Sequence, residues 1–202
     1  PVFMDSEPGS WCMDPRKVDE FLATRCEVRS DRVVNRSSGR RVSALLPVHL
    51  YGHPADLDAL VALTARFPLV LVEDAAEALG AEYKGRRVGV HGLLACLSFN
   101  GNKIITSGGG GMVLTDDAEL ARRARSLSTQ GRAAGTEFVH DEVGYNYRLT
   151  NIQAALGLAQ LEQIGRFVEA KRATARFYAE ALGRLEGAEP FREQPWARSI
   201  YW

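Results

Sequence analysis

The feature that most constrains the fold is an alternation of short apolar runs with segments of helical spacing. Residues 42–50, 69–72, 93–99 and 112–114 are apolar runs of strand length. Helix signals flank them. Asp14-Pro15 precedes Val18, Phe21 and Leu22; His53-Pro54-Ala55-Asp56 precedes Leu57, Leu60, Val61 and Leu63; Asp116-Asp117 precedes residues 120–127. Aspartate and proline at such positions cap and start a first helical turn. Apolar strands separated by helices predict an α/β domain with a mostly parallel sheet. Thr150-Asn151 opens a further helix, with Ile152, Ala155, Leu156, Leu158, Ala159 and Leu161 at helical spacing, and a second helix is predicted from about 167 to 185. Residues 29–41, rich in Arg, Ser and Gly, read as an exposed loop.

Composition narrows the function. A chain of 202 residues can bury one sizeable core. Lys plus Arg equals Asp plus Glu at 25 each, which excludes the basic excess of a dedicated nucleic-acid binder. A site for a small anionic substrate needs only a few local donors and stays open. Cys12, Cys26 and Cys96 form no CxxC pair and no metal spacing, so they read as reduced thiols of a cytoplasmic protein. His49, His53, His91 and His140 are too dispersed for a metal site. No apolar run approaches membrane-spanning length, so no membrane partner is expected. Residues 1–5 read as an apolar strand already under way and residues 200–202 are apolar again, so the chain is expected to be part of a longer protein.

Four places carry chemistry. Asp74 follows an apolar run and belongs at the carboxyl end of a strand, where open α/β sheets bind ligands. It reads either as a functional carboxylate or as the N-cap of a helix from Ala75, with Glu77 one turn on along the same face. In Ser98-Phe99-Asn100-Gly101-Asn102-Lys103 a strand ends in small polar residues and presents a lysine on a tight turn. A desolvated lysine there is a usable nucleophile and base; the alternative is a solvated loop lysine. The run Gly108 to Gly111 permits close backbone approach, yet it lacks GxxxxGKS/T and the helix placement of GxGxxG. It reads as a phosphate cradle or as a plain turn. Gly144-Tyr145-Asn146-Tyr147-Arg148 precedes a helix and reads as a substrate loop, a segment crossing a subunit boundary, or a packed loop.

In this order the segments resemble the DegT/DnrJ/EryC1/StrS family of sugar aminotransferases. The matching text is VHLYG at 48–52, EDAAEALG at 73–80, residues 98–112 and residues 144–161, so the resemblance covers nearly the whole chain. It implies fold type I, the aspartate-aminotransferase-like arrangement, and pyridoxal 5'-phosphate (PLP) as cofactor. Residues 1–165 would be the PLP-binding large domain, lacking its N-terminal part, and residues 166–202 a long helix and the start of the small domain. Lys103 matches the Schiff-base lysine, Asp74 the partner of the pyridine nitrogen and Ser98 a phosphate ligand. Asn146 matches a phosphate contact reaching in from the neighbouring subunit of a homodimer. Glu77 stands where many members carry Gln facing the ring hydroxyl; an ionised Glu can only accept a hydrogen bond. His49, within VHLYG, takes no assigned role.

The implied activity is transfer of an amino group from glutamate to a nucleotide-linked 4-keto-6-deoxy sugar. SFNGNKIITSGGGGM and FVHDEVGYNYRL are most similar to members that aminate UDP-linked sugars of this kind in bacterial surface-sugar pathways, including the legionaminic-acid type. Dehydratase relatives replace the lysine with histidine, which Lys103 argues against. Two other readings stay open: a truncated or regulatory relative without turnover, and a nucleotide-binding module using Gly108 to Gly111. The 202-residue chain by itself is expected to be inactive, because the segment forming much of the phosphate cup and the closing C-terminal domain are not complete in it.

Overall fold

The computed structural model describes residues 1–133 and 138–202. The chain begins with α1 (Pro15–Arg25), β1 (Cys26–Arg29), β2 (Arg32–Asn35), β3 (Arg41–Val42), β4 (Ala44–Leu45), α2 (Leu57–Arg66) and β5 (Val70–Asp74). It continues through β6 (Glu82–Tyr83), β7 (Arg86–Arg87), β8 (Leu94–Ser98), β9 (Gly111–Leu114), α3 (Ala118–Ser128), α4 (Asn151–Leu161), α5 (Ile164–Leu182) and β10 (Ala197–Arg198).

The sheet that positions the site has the order β4-β5-β8-β9. β4, β5 and β8 run parallel, and β9 returns antiparallel along β8. Two small antiparallel sheets, β1-β2-β3 and β10-β6-β7, flank it. The expected α/β order with a mostly parallel sheet is therefore present. Side-chain caps start the helices where the sequence places them. Asp14 accepts from Arg16 N–H, Asp56 from Ala59 N–H, and Asp117 from the N–H groups of Glu119 and Leu120. Thr150 and Gln153 form a reciprocal capping box at α4.

The core lies between the sheet and α1 and α2. Val18, Leu22, Leu57, Leu60 and Leu63 face Leu45 and Leu71. The same core takes in Ala75, Ala78 and Ala81, then Val168 of α5 and Ile200 near the end of the chain. α4 buries none of its residues, and Ile152, Leu156, Leu158 and Leu161 all face outward. Among the described residues no helix is long and apolar enough to cross a membrane.

Three expectations are corrected. Residues 1–5 form no strand: Val2 and Phe3 are exposed and have no ladder to join, and the pairing begins only with a bridge between Ser6 and Met13. Residues 29–41 are not simply a loop, because β1, β2 and β3 form an antiparallel meander through them. Its polar composition hides a one-sided strand, with Val33 fully buried, Arg32 exposed and Val34 half-buried. The run 42–50 pairs over Ala44–Leu45 and then tightens into a 3-10 turn at Leu50–Gly52. Pro47, without an N–H, interrupts the ladder, which resumes in a parallel bridge between Val48 and Asp74.

That turn depends on a glycine. Gly52 has φ +77°, and a methyl group there would overlap the side chain of the fully buried Ile200. Gly52→Ala is expected to lower stability by about 2–4 kcal/mol, from a left-handed backbone and an overfilled core together. The shift of the urea midpoint measures it; a midpoint within error of the parent would contradict this account of the turn.

Candidate active site

The carboxyl ends of β5 and β8 lie side by side, with Asp74 opposite Cys96 in register and Ser98 two residues further along β8. Parallel strands that end together open a crevice there. Asp74 is the last residue of β5. Its backbone is locked by Asp74 N–H to Pro47 O at 2.9 Å and His49 N–H to Asp74 O at 3.0 Å. Its Oδ1 accepts from Ala76 N–H at 3.1 Å, and Oδ2 has no hydrogen bond among the described residues. No helix follows. The chain instead makes two successive tight turns, Ala78 N–H to Ala75 O and Ala81 N–H to Ala78 O, before β6. The helix-cap reading of Asp74 is thus corrected: its side chain serves the Ala76 amide as a cap would, but a turn and not a helix follows.

Glu77 still reaches the crevice, although not along a helical face. Its Oε2 accepts from Tyr51 N–H at 2.8 Å, and its Oε1 lies 3.6 Å from Lys103 Nζ. Lys103 sits on a turn closed by its own N–H to Asn100 O at 3.0 Å. Its side chain is only 13% exposed, so it is not the solvated loop lysine that its position permits. On its other side Nζ lies 4.2 Å from the centre of the Trp202 ring.

Ser98 is half-buried, and its Oγ accepts a long 3.4 Å hydrogen bond from Asn100 N–H. Asn146 lies apart. It is exposed, is held by a backbone bridge to Thr129, and sits between Tyr145 and Tyr147, whose rings stack at 5.1 Å. The structure therefore brings Asp74, Glu77, Ser98 and Lys103 to one end of the sheet and leaves Asn146 outside that group. The second half of the glycine run is explained by packing. Phe99 N–H donates to Gly110 O, and a methyl group on Gly111 would overlap the carbonyl of Leu97. Gly110 and Gly111 close β8 onto β9, the run does not precede a helix, and Gly108 and Gly109 border open space.

One pair was not anticipated. His49 and Glu73 are both fully buried directly behind Asp74. Ala55 N–H donates to His49 Nδ1 at 3.1 Å, which leaves the ring proton on Nε2, 3.0 Å from Glu73 Oε2. Glu73 also accepts from the backbone N–H groups of Gly89 (2.8 Å), His91 (2.7 Å) and Gly92 (2.7 Å). Burial alone pushes the Glu73 carboxyl up; the His49 hydrogen bond and the Gly89 and Gly92 amides outweigh it and hold it at about 2. The signal in the sequence was an acidic residue at an inward position of an apolar strand, beside a histidine-containing strand end.

The chain is 41% identical over 187 residues to the putative pyridoxal phosphate-dependent aminotransferase EpsN of Bacillus subtilis, covering 93% of this chain and 46% of that protein. It is 40% identical over 185 residues to GDP-perosamine synthase of Escherichia coli O157:H7, covering 92% and 46%. Among solved structures, a DegT DnrJ EryC1 StrS aminotransferase from Brucella abortus matches with a TM-score of 0.88 at 30% identity, over 100% of this chain and 51% of that one. DesV of S. venezuelae matches at 0.85 and 35%, over 100% and 50%. The chain spans about half the length of the curated relatives it matches. Its fold is that of these aminotransferases, a fold type I large domain. The family match runs over residues 1–202, and the chain belongs to the DegT/DnrJ/EryC1/StrS aminotransferase family.

Proposed function

We propose that this protein is a PLP-dependent aminotransferase that moves an amino group from glutamate to a nucleotide-linked 4-keto-6-deoxy sugar. The observation that carries the reading is the convergence of a shielded lysine, Lys103, with Asp74, Glu77 and Ser98 at the carboxyl ends of two parallel strands. The donor set fits the cofactor. Asp74 has one carboxylate oxygen without a partner, suited to a protonated pyridine nitrogen. Ser98 offers a hydroxyl for the phosphate, and Lys103 a shielded amine for the aldehyde. When bound, PLP supplies an electron sink that weakens the bond to be broken at the donor carbon. Lys103 would hold the cofactor through Nζ and, once free, would carry the proton from the donor carbon to the carbon that had been the cofactor's aldehyde. Glu77 accepts only, so its role is to hold the lysine and to receive a hydrogen bond from the ring hydroxyl.

In a homodimer, Asn146 serves the phosphate site of the neighbouring subunit; its exposed position fits that use. Residues 1–165 act as the cofactor-binding part, with residues 166–202 beginning the small domain while packed on it through Val168 and Ile200. The free thiols Cys12, Cys26 and Cys96 fit a cytoplasmic enzyme. A relative named as a GDP-perosamine synthase supports a nucleotide-sugar acceptor. The test incubates the full-length protein and PLP with glutamate labelled with 15N and a panel of UDP-, GDP- and TDP-linked 4-keto-6-deoxy hexoses. The expected result is one sugar product carrying the label by mass spectrometry. A PLP-loaded protein that labels none of them would contradict the acceptor class.

A further inference from the structure

The last residues of the chain close onto the lysine. Residues 199–202 run along the Leu50–Gly52 turn. Ile200 N–H donates to Gly52 O at 3.2 Å and Trp202 N–H to Tyr51 O at 3.0 Å. Ser199 Oγ donates to Gly52 O at 3.0 Å, and the side chain of Ile200 is fully buried beneath. Arg172 on α5 clamps the segment from behind, donating to Ser199 O at 2.6 Å and to Glu193 at 2.7 Å. These contacts fix the Trp202 ring. It stacks on Tyr51 at 6.1 Å and 17°, and its Nε1–H donates at 2.9 Å to Asn102 O, the carbonyl just before Lys103.

The lysine nitrogen thereby lies against two groups tied to one turn. The Trp202 ring centre is 4.2 Å from it, and Glu77 Oε1, whose companion oxygen holds Tyr51 N–H, is 3.6 Å away. Tyr51 itself has φ +51° and Tyr201 φ +53°. Non-glycine residues stay in that region only where their surroundings over-determine them. Both the carboxylate and the indole face attract a positive charge and lose that attraction when the charge is gone.

We propose that Trp202 is a positioning residue for Lys103: with Glu77 it holds the free ε-amino group at the mouth of the crevice. This rests on the aminotransferase reading for its purpose, since there the lysine must leave the cofactor and return to one place in every cycle. The contact itself does not depend on that reading. The indole face and the Glu77 carboxylate keep the free ε-amino group within reach of the crevice.

Residues 1–202 hold Lys17, Lys84, Lys103 and Lys171, and in the full-length protein the Lys103 signal is identified by its loss in Lys103→Arg. Reductive 13C-methylation keeps their charge and gives each an NMR signal. In the full-length protein without cofactor, the Lys103 signal is expected upfield of the other lysine signals, displaced by the ring current of Trp202. Trp202→Leu brings it back among them, and Trp202→Phe keeps most of the displacement. In the PLP-loaded protein Trp202→Leu lowers kcat about fivefold with KM for the amino donor little changed, and Trp202→Phe restores most of that loss. A Lys103 signal without displacement in the parent overturns the proposal, even if Trp202→Leu fails to fold. So does a Phe variant that behaves like the Leu variant. The NMR readout needs neither cofactor nor substrate, so failure of the aminotransferase reading would leave it standing.

Discussion

Lys103→Ala is expected to lower the rate of amine transfer by at least about 10,000-fold in the full-length protein. The substitution removes the covalent anchor and the proton carrier together, and proton transfer by a positioned side chain alone is worth about 100- to 10,000-fold. The fold should survive. The Lys103 nitrogen touches Glu77 at 3.6 Å and the Trp202 ring, and a partly exposed pair of this kind contributes about 1 kcal/mol or less. Lys103→Arg sharpens the test. Arginine keeps the positive charge for Glu77 and Trp202 but does not deprotonate, so it should be as inactive as alanine while melting like the parent. Single-turnover transfer of 15N from glutamate, alongside thermal melts, measures both. Transfer within tenfold of the parent in either variant would remove Lys103 from the chemistry.

Glu73→Gln should give the largest loss of stability. The carboxylate is fully buried and accepts from His49 and from three backbone amides. A glutamine presents an NH2 group to donors that need an acceptor. Breaking a buried, fully bonded charge in this way costs about 3–5 kcal/mol. The effect also has a pH signature. The folded protein holds Glu73 at about 2 against an ordinary 4.5, so the carboxylate contributes on the order of 3 kcal/mol at 1.36 kcal/mol per unit. Because the folded value is the lower one, this stability is present above about pH 4.5 and is lost as the pH falls toward about 2. Burial also lowers the pKa of His91, whose amide faces the same carboxylate. Urea midpoints of parent and variant should therefore differ widely at neutral pH and draw together as the pH falls from about 4.5 toward about 2. A gap that stays constant across that range would contradict the assigned role. Because Asp74 follows Glu73 directly, the variant should also weaken PLP binding at neutral pH.

These two residues show what was legible in the sequence and what was not. Lys103 was legible because a strand end, a tight turn and a lysine are local features, and the order of its neighbours matched a family. Asp14, Asp56, Asp117 and Thr150 announced their helices for the same reason: a cap is chemistry within three residues. Glu73 was passed over because the run before it was read as apolar. Its burial follows from strand alternation, with Leu71 and Glu73 turned inward and Asp74 toward the crevice. The meander of β1 to β3 was hidden by its turn, where Ser30 and Asp31 take left-handed φ values of 46° and 57° without a glycine to mark them. The approach of Trp202 to Lys103 has no local signature at all. It arises from pairing between the end of the chain and the Leu50–Gly52 turn, and only the assembled core brings the two together.

The central claim is that Lys103 carries the cofactor. Its most direct test is reduction with borohydride after incubating the full-length protein with PLP, followed by peptide mapping. The account predicts one phosphopyridoxyl group per chain, on the peptide containing Lys103 and absent from Lys103→Ala. A label spread over Lys17, Lys84 and Lys171, or no label on a folded full-length protein, would contradict it.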